Sequence, residues 1–184
     1  MAKASTPTQY GFVSKLLHWT LFLLVSANFI LITRVDMLIK GDARISQLVN
    51  LHRSIGVLVL LLAALFIYWE ISHPKPALPK NMNKPSRILA KSVHGLMFLL
   101  LLALPISGYV MSTLAGKTIS FFGLFNLPVL LAANKPMAKE VFEVHGALAF
   151  TLLILVLIHV AASFYHHLVK KDNVLVRMLP FGKA

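Results

Sequence analysis

Between Glu143 and Lys170 the chain runs for 26 residues without an Asp, Glu, Lys or Arg. The stretch reads VHGALAFTLLILVLIHVAASFYHHLV. Roughly 20 apolar residues of helix cross a bilayer core, so this segment is a transmembrane span. Within it His145 and His159 lie 14 residues apart. On a helix that spacing returns to within about 40° of one face and separates the two side chains by about 21 Å. One face therefore offers an imidazole near each membrane surface. Ionisable side chains inside a span are costly and mark functional sites.

Three further uncharged runs precede it: Leu16–Thr33, Ser54–Trp69 and Ser92–Gly116. The second is short, and spans only if His52 and Arg53 join the helix, with Arg53 reaching back to the surface. The chain is 58% hydrophobic and 13% charged, against about 25% charged in soluble domains. The expected fold is all-α, an integral membrane four-helix bundle with helices near 14–34, 50–70, 91–115 and 142–170. The first run is expected to be retained, since no small-residue cleavage site follows it.

Residues 34–51 read as a charged connection and residues 70–91 as a proline-rich one. Pro105 and Gly108 suggest a kink or a close approach in the third helix. Residues 118–134 are apolar but broken by Gly123, Asn126 and Pro128, and are expected to be interfacial or re-entrant.

The absence of cysteine excludes disulfides, Cys-ligated iron–sulfur clusters and thioether-attached haem. The formal net charge is +12. The basic residues stand between the apolar runs, which points to topology and anionic lipid and not to nucleic acid. With four spans, the side holding both termini carries eleven Lys and Arg and the other side seven. The positive-inside rule then places both termini in the cytoplasm.

This topology sorts the histidines by depth. His52 and His145 share an outer layer; His18, His94 and His159 share an inner one. Two imidazoles from facing helices can take both axial positions of one haem iron, leaving no open position and so favouring electron transfer. The expected metal ligands are His52 with His145 and His18 with His159, with His94 an alternative to His18. His73 reads as a solvated loop residue and His167 as an interfacial one. His166, seven residues beyond His159, stands where a lipid-soluble molecule could meet the inner site.

The segments KLLHWT, LHRSIGV, SVHGLMFLLLLALPISGYVM, VHGALA and LIHVAASFYHHLVKKDNVLVRMLP resemble the bacterial cytochrome b561 family in order and spacing. The resemblance covers nearly the whole chain as one transmembrane cytochrome b domain, residues 1–184. It implies a multi-pass inner-membrane oxidoreductase with two haem b groups and ubiquinone as substrate. Carried over, His18 and His159 hold the inner haem, and His52 and His145 the outer. His166 and His94 are the expected quinone contacts.

The donor expected is a small anion, superoxide, in a superoxide:quinone type of reaction. Arg53, beside His52 on an outer face of about +3, is the expected catalytic residue, steering the anion or pairing with a haem propionate. An alternative is a haem b anchor that links a soluble dehydrogenase or hydrogenase-type partner to quinone. A further alternative is a His-dependent metal or proton transporter.

Overall fold

The computed structural model describes residues 4–78 and 82–182. Lys3, Pro79, Lys80 and Lys183, which entered the loop and charge readings, lie outside them. The elements in order are α1 (Phe12–Asp36), α2 (Arg44–Ser72), α3 (Lys84–Leu114), β1 (Ser120–Phe121), β2 (Phe125–Asn126), α4 (Lys135–Leu168) and α5 (Val174–Met178). The four long helices have 25, 29, 31 and 34 residues, each enough to cross a bilayer.

The helices outrun the apolar runs. α3 begins at Lys84 because the Asn83 side chain accepts from Ser86 N at 3.0 Å and Pro85 opens the first turn. α4 begins at Lys135 in the same way, with Asn134 accepting from Met137 N at 3.1 Å and Pro136 behind it. Both starts read Asn-Lys-Pro: a capping side chain satisfies an orphan N–H and proline removes another. α2 begins at Arg44, so His52 and Arg53 are helical and the first connection shrinks to residues 37–43. Pro105 lies inside α3, which runs on through it.

α1 packs on α2, α2 on α3, and α3 on α4. The largest buried cluster joins α1 to α2: Leu17, Leu21, Ile55, Val59, Ala63 and Phe66. α4 makes no comparable backbone approach to α1 or α2. Of its 34 residues only Ala138 and Leu152 are buried.

Residues 118–134 contain a small hairpin. β1 and β2 pair antiparallel, Ser120 with Asn126 and Phe121 with Phe125. The turn between them places Phe122 at φ 48° and Gly123 at φ 76°. The hairpin docks on α2. Asn50 Nδ2 donates to Ser120 O at 3.0 Å and Ser120 N donates to Asn50 Oδ1 at 3.3 Å. Ser54 Oγ lies 3.0 Å from Ser120 O and accepts from Phe122 N at 3.0 Å. The interfacial or re-entrant expectation placed no strand here.

At the other end the tail folds back on the bundle. Trp19 Nε1 donates to Met178 O at 2.9 Å, Lys15 Nζ to Gly182 O at 3.2 Å, and Arg177 to Ala77 O at 2.6 Å. Trp19 thus holds the tail. Ser14 Oγ donates to Glu70 Oε1 at 3.0 Å, tying α1 to the end of α2.

Candidate functional site

Imidazoles meet in two groups, one toward each end of the bundle. At one end the His52 and His145 ring centroids are 6.4 Å apart with planes at 81°. At the other the His18 and His159 centroids are 6.2 Å apart with planes at 55°. Each pair joins α4 to a helix whose backbone it does not closely meet: α2 in the first case, α1 in the second.

His94 stands beside the second pair. Its centroid is 5.0 Å from that of His159, edge-on at 84°, and its Nδ1 donates to Ala90 O at 2.6 Å. An imidazole nitrogen sits about 2 Å from a bound transition metal, with the ring centroid about 1 Å behind it. Two imidazoles in trans on one metal therefore have centroids about 6 Å apart. The His18–His159 and His52–His145 separations fit this value; the His94–His159 separation is too short for it. The Nδ1 atoms of His18 and His52 are buried without a hydrogen-bond partner. Each of the two pairs is spaced to hold one metal centre between its rings.

At the His145 ring α3 comes close. A Cβ added at Gly108 would stand 3.3 Å from His145 Cε1. Ser107 Oγ lies 2.9 Å from His145 Nδ1 and donates to Leu104 O at 2.9 Å. The polar group at Ser107 had no signal in the apolar run beyond its place one residue before Gly108.

Arg53 follows His52 and is half-buried, its Nε without a hydrogen-bond partner. It lines an open cavity of about 370 Å³ with Asp42, Ser46 and Lys117. Asp42 is already engaged: Arg44 Nη2 meets its Oδ2 at 2.7 Å. The Arg44 hydrogen bonds hold its carboxyl down to about 2. The cavity thus presents Arg53 and Lys117 beside a carboxylate already neutralised by Arg44.

His166 lies at the opposite end, with Nδ1 2.6 Å from Asp172 Oδ2. Asp172 Oδ1 also accepts from Val174 N at 3.0 Å, so one carboxylate orients the imidazole and starts α5. A cavity of about 100 Å³ opens there, lined by Asn83, Ser86, Tyr165, His166, Lys170 and Asp172. His167 is exposed. His73, expected to be free in a loop, instead stacks on Trp69 at 3.6 Å with Nδ1 3.1 Å from Trp69 O.

Comparison with known proteins identifies the family. The family model described as prokaryotic cytochrome b561 matches residues 9–181. "Cytochrome b561 homolog 2" of Escherichia coli (strain K12) is 33% identical over 184 residues, covering 100% of this chain and 97% of that protein. "Cytochrome b561 homolog 1" of the same organism is 28% identical over 171 residues, 91% of this chain and 94% of the relative. "Probable superoxide oxidase CybB" of Yersinia pestis is 31% identical over 170 residues, 89% of this chain and 92% of the relative. With four membrane-length helices and a family match over nearly its whole length, the chain belongs to the prokaryotic cytochrome b561 family, multi-pass inner-membrane proteins that carry haem b.

Proposed function

We propose that this protein is a di-haem b electron-transfer protein that oxidises superoxide at the periplasmic face and reduces membrane ubiquinone. The observation that carries the proposal is the pair of imidazole separations, 6.2 Å and 6.4 Å. His52 and His145 are the ligands of an outer haem, and His18 and His159 those of an inner one. Bound there, the haems supply one-electron carriage between the two faces, with no open coordination position for oxygen. Both termini are cytoplasmic in this reading, in keeping with the Lys and Arg excess on their side.

The chain's own residues set the direction. Arg53 and Lys117 at the outer cavity attract a small anion and raise its capture rate. Superoxide fits this charge, and the Yersinia pestis relative is named a superoxide oxidase. At the other end His166, oriented by Asp172, offers its remaining ring nitrogen to a quinone oxygen. His94, beside His159 but too close to share a metal with it, is a second contact on that side. Two superoxide ions yield two molecules of oxygen, and their two electrons with two protons convert quinone to quinol.

The test is a dithionite-reduced minus air-oxidised spectrum of the detergent-purified protein, with a pyridine haemochrome count and anaerobic ubiquinone reduction by a superoxide source. Two haems per chain and superoxide-dependent quinol formation are expected. A single haem refutes one of the pairs. Two haems with no response to superoxide refute the donor, and no haem in folded protein refutes the electron-transfer reading.

A further inference from the structure

The four ligands proposed above are not equivalent. Among the described residues, His145 alone of the four has a side-chain hydrogen-bond partner on its ring. His18 buries Nδ1 with none, and the His52 ring meets the Asn28 backbone and no side chain. The partner, Ser107, belongs to α3, which supplies none of those ligands.

The Ser107 hydroxyl has a proton acceptor on its own helix. A serine hydroxyl has one proton and two lone pairs. Ser107 Oγ donates its proton to Leu104 O at 2.9 Å. With Nε2 as the metal-binding atom, as the di-haem reading requires, Nδ1 carries the hydrogen, and Ser107 Oγ, 2.9 Å away, accepts it alongside the Leu104 carbonyl. The contact also limits rotation about the bond that joins ring to backbone. Gly108 closes the same side of the ring, since even a methyl there would stand 3.3 Å from Cε1.

We infer that Ser107 is a positioning residue for His145, fixing its tautomer and ring plane and making it a stronger donor to iron than it would be without the contact. The inference rests on the di-haem reading. A hydrogen-bond acceptor on the far nitrogen raises the basicity of a ligating imidazole. A more basic axial ligand favours the ferric state, so Ser107 lowers the midpoint potential of the outer haem alone. The two rings of the outer pair stand at 81°, and near-perpendicular ligand planes give a ferric low-spin electron paramagnetic resonance signal of large anisotropy. That signal reports the orientation that Ser107 holds.

The experiment compares wild type, Ser107→Ala, Ser107→Cys and Ser107→Thr. Each is purified in detergent, counted for haem, titrated potentiometrically and examined by low-temperature electron paramagnetic resonance. His52→Ala assigns the outer component. In Ser107→Ala the outer potential is expected to shift upward while the inner one stays, and the anisotropic signal to move or broaden. Ser107→Thr, which keeps the hydroxyl, is expected to restore both. If Ser107→Ala fails to accumulate, Ser107→Cys replaces it, because a thiol is nearly the same size and a weak acceptor. Two haems with unchanged outer potential and signal in the Ala or Cys variant overturn the inference. A change that Thr does not reverse also overturns it. Fewer than two haems in wild type overturns the di-haem reading instead.

Discussion

The His166 imidazole and the Asp172 carboxylate meet at 2.6 Å, and the same carboxylate accepts the Val174 N–H that opens α5. Removing Asp172 therefore frees the ring and loosens the tail together. A hydrogen bond to a charged group contributes about 1.5–3 kcal/mol. Asp172→Ala is expected to raise the ubiquinone KM about tenfold, in line with a loss of ~1.4 kcal/mol. The haem count should stay at the wild-type value. Steady-state quinone reduction together with a haemochrome assay checks both halves, and an unchanged KM would remove His166 from the quinone site.

The separation of 5.0 Å between His94 and His159, against 6.2 Å for His18 and His159, makes a sharp distinction between two neighbours. His18→Ala is expected to lose one haem and His94→Ala none. Haem content of the two variants decides the ligand, and equal losses would contradict the assignment.

Gly108 tolerates no side chain without displacing His145, since an added Cβ lies 3.3 Å from its ring. Gly56 has only Asn28 Nδ2, at 4.0 Å, in the same position. Gly108→Ala is expected to lower outer haem occupancy by about half or more, an effect of the 1–3 kcal/mol that overpacking costs. Gly56→Ala should leave occupancy near the wild-type level. Difference spectra of membranes measure both.

Arg53→Glu reverses a charge at the cavity beside His52. Superoxide-dependent quinone reduction should fall about tenfold or more at low ionic strength, with the gap narrowing above about 0.5 M salt. The Asp42 carboxyl is held down to about 2 by Arg44 hydrogen bonds. Because this value is depressed in the fold, its stabilising contribution is present above the ordinary 3.8 and is lost as pH falls toward about 2. Asp42 therefore stays ionised from about pH 5 to 9 and adds no titration step to the donor-side rate there. A rate profile across that range tests this, and Asp42→Asn should leave its shape unchanged.

Ser54 is fully buried and links Asn50 O, Ser120 O and Phe122 N. Ser54→Ala strands polar groups of the hairpin, at a cost of about 1–3 kcal/mol. A lowered Tm in detergent and faster proteolysis within residues 118–134 are expected, and an unchanged cleavage rate would show that the docking on α2 does not hold the loop.

The four spans were legible because a bilayer demands long uncharged runs, and nothing in a short soluble element imitates 26 such residues. The juxtaposition of His52 with His145 and of His18 with His159 followed from depth and a 14-residue gap, both consequences of helix rise. The helix starts were less visible, since Lys84 and Lys135 are charged. Their signal was the repeated Asn-Lys-Pro, a statement about capping and not about hydropathy. The hairpin had no such signal. Strands of two residues have no measurable alternation, and its stability comes from Asn50 and Ser54, some 70 residues away in sequence. Ser107 and Asp172 were hidden for a related reason: each acts by a single contact that only the folded chain creates.

The loose seat of α4 bears on how the protein is made. Among the described residues α4, the last of the long helices, packs on α3 and on the short α5 and does not closely meet the backbone of α1 or α2. Three helices can therefore settle in the membrane as a unit before the fourth docks. Under the di-haem reading, maturation would then be a docking event, in which a flat ring between α4 and its neighbours serves as the last piece of packing.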